Sequence, residues 1–151
     1  MSFEFATAGR IVFGWGAWGR TAELAEPFGR KALLVLGREG RCGDALAAAL
    51  AERGIDRVEV RIDAEPKVRT VERAVALARG EGCDLVIAVG GGSVIDAGKA
   101  VAGMATQAGS VLDHLEVVGG GKPLTAPPLP FLAVPTTAGT GAEVTRNAVL
   151  D

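Results

Sequence analysis

The chain has 151 residues, a formal net charge of −2 at pH 7 and 48% hydrophobic residues. This length predicts one domain, and the near-neutral charge argues against nucleic acid or an anionic membrane as a partner. No apolar run approaches the ~18 residues that a membrane-spanning helix needs, and the start of the chain lacks the basic and apolar segments of an export signal. We therefore expect a cytoplasmic protein with no membrane contact.

Short apolar runs alternate with longer amphipathic stretches along the chain. Two of the runs, residues 32–36 and 85–89, are apolar on both faces, which is typical of parallel strands covered by helices. We predict an α/β fold with a doubly wound, mainly parallel, Rossmann-like sheet in a single domain. The predicted strands are 10–13, 31–36, 57–62, 84–89 and 129–134, and the predicted helices are 18–28, 43–54, 67–79 and 93–107.

An early glycine set matches the dinucleotide fingerprint G-x-G-x-x-G at Gly14, Gly16 and Gly19. That fingerprint requires an acidic residue about 20 positions later, at the end of the second strand. The position falls near Gly37, which has no carboxylate. We therefore assign these three glycines to a turn and to close helix packing, and we expect the neighbouring Trp15 and Trp18 to be packing residues.

A second glycine run follows the apolar segment 84–89 and opens directly into a helical pattern. Without Cβ atoms, the backbone can approach an anion, and the first turn of the helix supplies free N–H groups and the positive end of the helix dipole. The serine can cap the helix and offer its hydroxyl to the same ligand. The sequence therefore predicts a phosphate site at Gly90, Gly91, Gly92 and Ser93.

Asp96 and Lys99 follow about one and two helical turns beyond Ser93. Two interpretations are open: a solvated salt bridge, or a pair in which Asp96 braces the loop and Lys99 aids anion binding. A threonine-rich loop after the last predicted strand also has two interpretations. It either wraps polar ligand atoms or is an ordinary turn. Its hydroxyl residues are Thr136, Thr137, Thr140 and Thr145.

Together, the GGGSxxDxxK and PTTAGTGxE-V-T patterns resemble those of the iron-containing (group III) alcohol dehydrogenase family. The resemblance runs from Phe13 to Val149. It implies an N-terminal NAD(P)-binding domain over residues 1–151, which binds NAD or NADP and acts on a small alcohol or aldehyde. It also implies that the glycine run holds the pyrophosphate and that the threonine loop contacts the nucleotide. In the family, Fe²⁺ or Zn²⁺ is bound in a helical C-terminal domain, which is absent from this chain.

We accordingly expect neither a catalytic residue nor a metal ligand in this chain. His114 is the only histidine, and a lone imidazole is more often a surface or packing residue than a ligand. Cys42 and Cys83 stand apart from any CxxC motif, which favours free thiols over a disulfide or a zinc site.

The turn after residue 36 bears on the choice of cofactor. Family members that use NAD commonly have an aspartate where this chain has Gly37, and such a carboxylate would repel a 2′-phosphate. Arg38 or Arg41 could pair with that phosphate, whereas Glu39 opposes it. NADP therefore stays an alternative to NAD.

Three functions from different classes remain open. The chain is the nucleotide-binding half of an NAD(P)-dependent, metal-assisted alcohol dehydrogenase, a stand-alone nucleotide-binding module without catalysis, or an unrelated phosphate-ester enzyme. The threonine loop argues against the third function, and the length of the native reading frame separates the first two. The oligomeric state is also open, a homodimer included.

Overall fold

The fold is built on one sheet of four parallel strands in the order β2-β1-β3-β4. It is seen in a computed structural model that describes residues 2–3, 7–40 and 42–151. Arg41, one of the arginines considered for the cofactor, lies outside these residues. The strands are β1 (Lys31–Gly37), β2 (Asp56–Ile62), β3 (Leu85–Gly90) and β4 (Phe131–Pro135). The predicted α/β class and parallel sheet are confirmed.

Five α-helices flank the sheet: α1 (Thr21–Ala25), α2 (Gly43–Glu52), α3 (Val68–Gly80), α4 (Gly92–Met104) and α5 (Val111–His114). The predicted helix over residues 18–28 is only partly correct, because a 3₁₀ segment at Ala17–Arg20 precedes a shorter α1. Helix α5 was not predicted. Its signal is a capping box, in which Ser110 and Asp113 exchange side-chain and backbone hydrogen bonds.

The two central strands are buried on both faces, as their continuous apolar runs predict. In β1, alternate side chains enter different layers of the core because successive residues of a strand point to opposite faces. Leu33 and Val35 pack in the layer that contains α3 and α4, whereas Ala32, Leu34 and Leu36 pack in the layer that contains α1 and α2.

The first predicted strand is wrong, because residues 10–13 pair with no strand within the described chain. Phe13 is 99% exposed and Trp15 is fully exposed, so Trp15 is not a packing residue here. Gly16 has φ of 71°, which confirms the predicted turn. The predicted close helix packing is wrong for Gly19, because a Cβ there would meet no atom within 4 Å.

Residues 2–3, 7–40 and 42–151 contain no helix with both the length and the apolarity that crossing a bilayer requires.

The contact of α4 with the sheet leaves no room for a side chain at Gly98. A Cβ there would lie 2.7 Å from the Ala88 Cβ and 2.8 Å from Cε2 of Phe131. We predict that Gly98→Ala lowers the free energy of unfolding by about 1–3 kcal/mol through overpacking, measured by urea denaturation. Gly80→Ala in α3 is the control, because a Cβ at Gly80 would meet nothing within 4 Å.

The control variant should be neutral or slightly more stable, since Ala favours a helix by up to ~1 kcal/mol over Gly. Equal stability of the two variants would show that α4 does not lie this close to β3 and β4.

Candidate functional site

The strand order creates a crevice at one edge of the sheet. Strand β2 lies on one side of β1, and β3 lies on the other side. The connections that leave β1 and β3 therefore run in opposite directions along the sheet, and a crevice opens between these two strands. Ligands of open α/β sheets bind at such a switch point, beyond the carboxyl ends of the strands. Here those ends are Gly37 of β1 and Gly90 of β3.

A cavity of about 320 Å³ lies at this crevice. Six residues predicted to bind the cofactor line it, and three lining residues, Val89, Glu39 and Gly40, were not predicted. The six are Gly37, Arg38, Gly90, Gly91, Thr136 and Thr137.

The amino end of α4 opens beside this cavity. Gly91 is the N-cap, in an extended conformation. The backbone N–H groups of Gly92 and Ser93 have no acceptor among the described residues. Because α4 has 13 residues, these donors carry the positive end of a full-length helix dipole. The arrangement can bind a phosphate group through the backbone alone.

The fold requires the three glycines of this run to different degrees. A Cβ on Gly90 would lie 2.6 Å from the Val94 Cβ, so this glycine is required for close packing of β3 and α4. A Cβ on Gly91 would make only ordinary contact, at 3.5 Å, with the side chain of Thr137. A Cβ on Gly92 would lie 3.3 Å from Cγ2 of Thr140. The fold itself therefore does not demand a glycine at residue 91.

Ser93 does not cap α4, which corrects the prediction. It is the second residue of the helix, and the N-cap Gly91 has no side chain to cap with. The Ser93 hydroxyl instead donates to Oε2 of Glu65 at 2.7 Å. Glu65 follows β2 and lies 28 positions away in sequence, so no local pattern could have predicted this contact.

Asp96, Lys99 and Thr145 form a second cluster with the segment that follows the threonine loop. The Lys99 ammonium lies 2.8 Å from Asp96 Oδ1 and donates to Thr145 Oγ1 at 3.0 Å and to the Asn147 carbonyl. Asp96 Oδ2 accepts a hydrogen bond from the Val149 N–H at 3.2 Å. The pair is largely buried, at 11% and 13% side-chain exposure, and is not a solvated surface bridge. Their predicted contact with the cofactor stays a prediction.

The described residues hold no cluster of three or more His, Cys, Asp or Glu side chains that could bind a metal ion. The His114 Nδ1 lies 2.9 Å from the Lys122 carbonyl oxygen. Both cysteines are free thiols, as predicted, with Cys42 exposed and Cys83 buried. Burial raises the pKa of the Cys83 thiol. The described residues therefore offer no set of ligands for a divalent metal ion.

Comparison with known proteins gives the family. The family model for iron-containing alcohol dehydrogenase matches residues 8–151. A choline dehydrogenase of Bacillus subtilis is 40% identical, covering 99% of this chain and 38% of its own length. The structure of an NADH-dependent butanol dehydrogenase A of Thermotoga maritima is 33% identical with a TM-score of 0.88, covering 99% of this chain and 38% of its own. The chain belongs to the iron-containing alcohol dehydrogenase family.

A sulfoacetaldehyde reductase of Bifidobacterium kashiwanohense, solved in complex with NAD⁺, is 29% identical with a TM-score of 0.78. That similarity covers 96% of this chain and 39% of the reductase. The chain thus spans about two fifths of the length of the relatives it matches. Family membership removes the unrelated phosphate-ester enzyme from the alternatives.

The buried pair gives a stability prediction. Asp96→Ala should lower the free energy of unfolding by about 3 kcal/mol, because it leaves the Lys99 ammonium without its carboxylate. The double variant Asp96→Ala/Lys99→Met removes both charges. It should cost less than the sum of the two single variants, by about 1–3 kcal/mol. Chemical denaturation of the four proteins measures this coupling, and simple additivity would show that the pair does not interact.

Proposed function

We propose that this chain is the N-terminal NAD(P)-binding domain of an NAD(P)-dependent, metal-assisted alcohol dehydrogenase. The full enzyme would transfer a hydride between a small alcohol or aldehyde and the nicotinamide in the cytoplasm. The observation that carries the proposal is the glycine-lined cavity, which lies at the switch point of a parallel sheet with free backbone donors of α4 beside it.

The residues of the cavity fit a dinucleotide. The backbone N–H groups of Gly92 and Ser93 would donate to the pyrophosphate, and the absent side chain of Gly91 would let it approach. Thr136 and Thr137 also line the cavity and can donate hydroxyl hydrogen bonds to the nucleotide. When bound, the nicotinamide would supply or accept the hydride.

Ser93 has a second possible hydrogen-bond partner in this proposal. Its hydroxyl hydrogen is now donated to Glu65, and a phosphate oxygen offers a competing acceptor close to the same helix end. The pyrophosphate would therefore compete with Glu65 for this hydrogen bond, and the Glu65 carboxylate would stand near a like charge.

The described residues contain no cluster of three or more His, Cys, Asp or Glu side chains that could bind a metal ion. We propose that the metal ligands and most of the substrate pocket belong to the family's helical C-terminal domain.

The same observation favours a second candidate, a nucleotide-binding module without catalysis. The two functions predict the same cavity and differ in what the coding region holds. A reading frame that continues beyond Asp151 into a helical segment with Asp and His at metal-ligand spacing supports the dehydrogenase. A stop codon at that point supports the module.

Gly91 offers the sharpest test of the pyrophosphate position. Its backbone, with φ of −77° and ψ of −173°, is allowed for any residue, so Gly91→Ala should fold normally. The added methyl group would lie 3.5 Å from the side chain of Thr137. It would also hold the phosphate away from the backbone. We expect the variant to lose NAD⁺ and NADP⁺ affinity by at least about tenfold, or ~1.4 kcal/mol, in isothermal titration calorimetry.

Gly19→Ala is the matched control, because it adds a methyl group to the other glycine set, where nothing lies within 4 Å. It should leave both affinities unchanged. Loss of binding in Gly19→Ala together with normal binding in Gly91→Ala would mean that the pyrophosphate sits at residues 14–19.

A further inference from the structure

One arginine of β2 reaches the rim of the cavity from the neighbouring strand. The register of the parallel pair places Arg61 beside Leu36, one residue before the end of β1. Its guanidinium lies over Gly40, where an added Cβ would be 2.6 Å from Nη1 and 3.3 Å from Nη2. Gly40 lines the cavity, and its φ of +57° favours a glycine in this turn.

The arginines beside the cavity differ from Arg57, another arginine of β2, in their side-chain partners. Within the described residues, neither Arg38 nor Arg61 has a hydrogen bond or ion pair to its side chain. Arg57, at the other end of β2, is paired with Glu59 at 3.2 Å. Arg38 and Glu39 line the cavity, and the Arg61 guanidinium lies next to Gly40, another lining residue. Neither arginine has a carboxylate partner among those residues.

We infer that Arg61 and Arg38 together bind the 2′-phosphate of NADP(H), so that this chain selects NADP(H) over NAD(H). The inference rests on the proposed function, because it takes the adenosine ribose to lie against the turn that follows β1. A 2′-phosphate is a phosphomonoester with a charge of about −1.5 to −2 at neutral pH. A guanidinium binds such a group through two parallel hydrogen bonds, which the neutral 2′-hydroxyl of NAD(H) cannot match.

Gly37 supports the same selection. It ends β1 at the cavity, and a carboxylate at this position would repel a phosphate dianion at close range. Without that carboxylate, the charged residues described at this turn are Arg38 and Glu39 in the cavity lining and Arg61 beside Gly40. Arg61 was not predicted from the sequence, because only the pairing of β1 with β2 brings it to Gly40.

The test compares NADP⁺ and NAD⁺ as titrants of the same chain in calorimetry. The wild-type chain should bind NADP⁺ at least about tenfold more tightly than NAD⁺. Arg61→Gln should lose about tenfold in NADP⁺ affinity and change NAD⁺ affinity by less than about twofold, because only the phosphate gains from the guanidinium. Arg61→Lys should fall between the two, since it keeps the charge and loses the paired hydrogen bonds.

Arg57→Gln is the matched control. It removes an arginine from the same strand, roughly 13 Å from Arg61 along β2, and should change neither affinity. The NADP⁺ affinity of the wild type should also fall more steeply with added salt than its NAD⁺ affinity.

The outcomes separate this inference from the function on which it rests. Tight binding of NAD⁺ with no preference for NADP⁺, or equal losses for both cofactors in Arg61→Gln, would overturn the selection of NADP(H) and leave the nucleotide site intact. Failure of the folded wild type to bind either cofactor would overturn both proposals.

Discussion

The close contact between α4 and β3 is the constraint on which the rest of the structure depends. Two glycines permit it: a Cβ on Gly90 would lie 2.6 Å from the Val94 Cβ, and one on Gly98 would lie 2.7 Å from the Ala88 Cβ. The contact brings the amino end of α4 directly to the end of the sheet. Free backbone donors are therefore placed at the switch point without any charged side chain.

Successive turns of α4 make different contacts. Its first turn presents backbone N–H groups beside the cavity. Its two charged residues, Asp96 and Lys99, hold residues 145–149. The Lys99 ammonium is paired with the Asp96 carboxylate and donates to Thr145 and to the Asn147 carbonyl. The proposed anion site therefore depends on the helix dipole and the glycine loop. The arginine that lines the cavity, Arg38, directly follows β1.

Local sequence patterns predicted the core of this fold well. The apolar runs of β1 and β3 are buried on both faces, and the glycine run lies at the cavity as its position between a strand and a helix indicated. Residues 10–13 look like a strand by hydrophobicity. They form none, because a strand also needs a partner, and a sequence does not show where that partner is.

The contacts at the site that the sequence did not predict have the same origin. Ser93 is bound by Glu65, 28 positions away, and Lys99 by Thr145, 46 positions away. Arg61 reaches Gly40 only through the register of two strands. Such contacts follow from topology and not from local spacing. By contrast, the capping box of Ser110 and Asp113 is a local signal, so α5 could have been predicted.

The central claim is that the crevice between β1 and β3 holds a dinucleotide by its pyrophosphate. Amide chemical shifts of the ¹⁵N-labelled chain, followed during titration with NAD⁺ and separately with NADP⁺, test this claim directly. We expect the largest changes at Gly91, Gly92 and Ser93 and further changes at Gly37 and Arg38, while residues 14–19 stay unchanged. Changes centred on residues 14–19, or none at the α4 end in a folded chain, would contradict it.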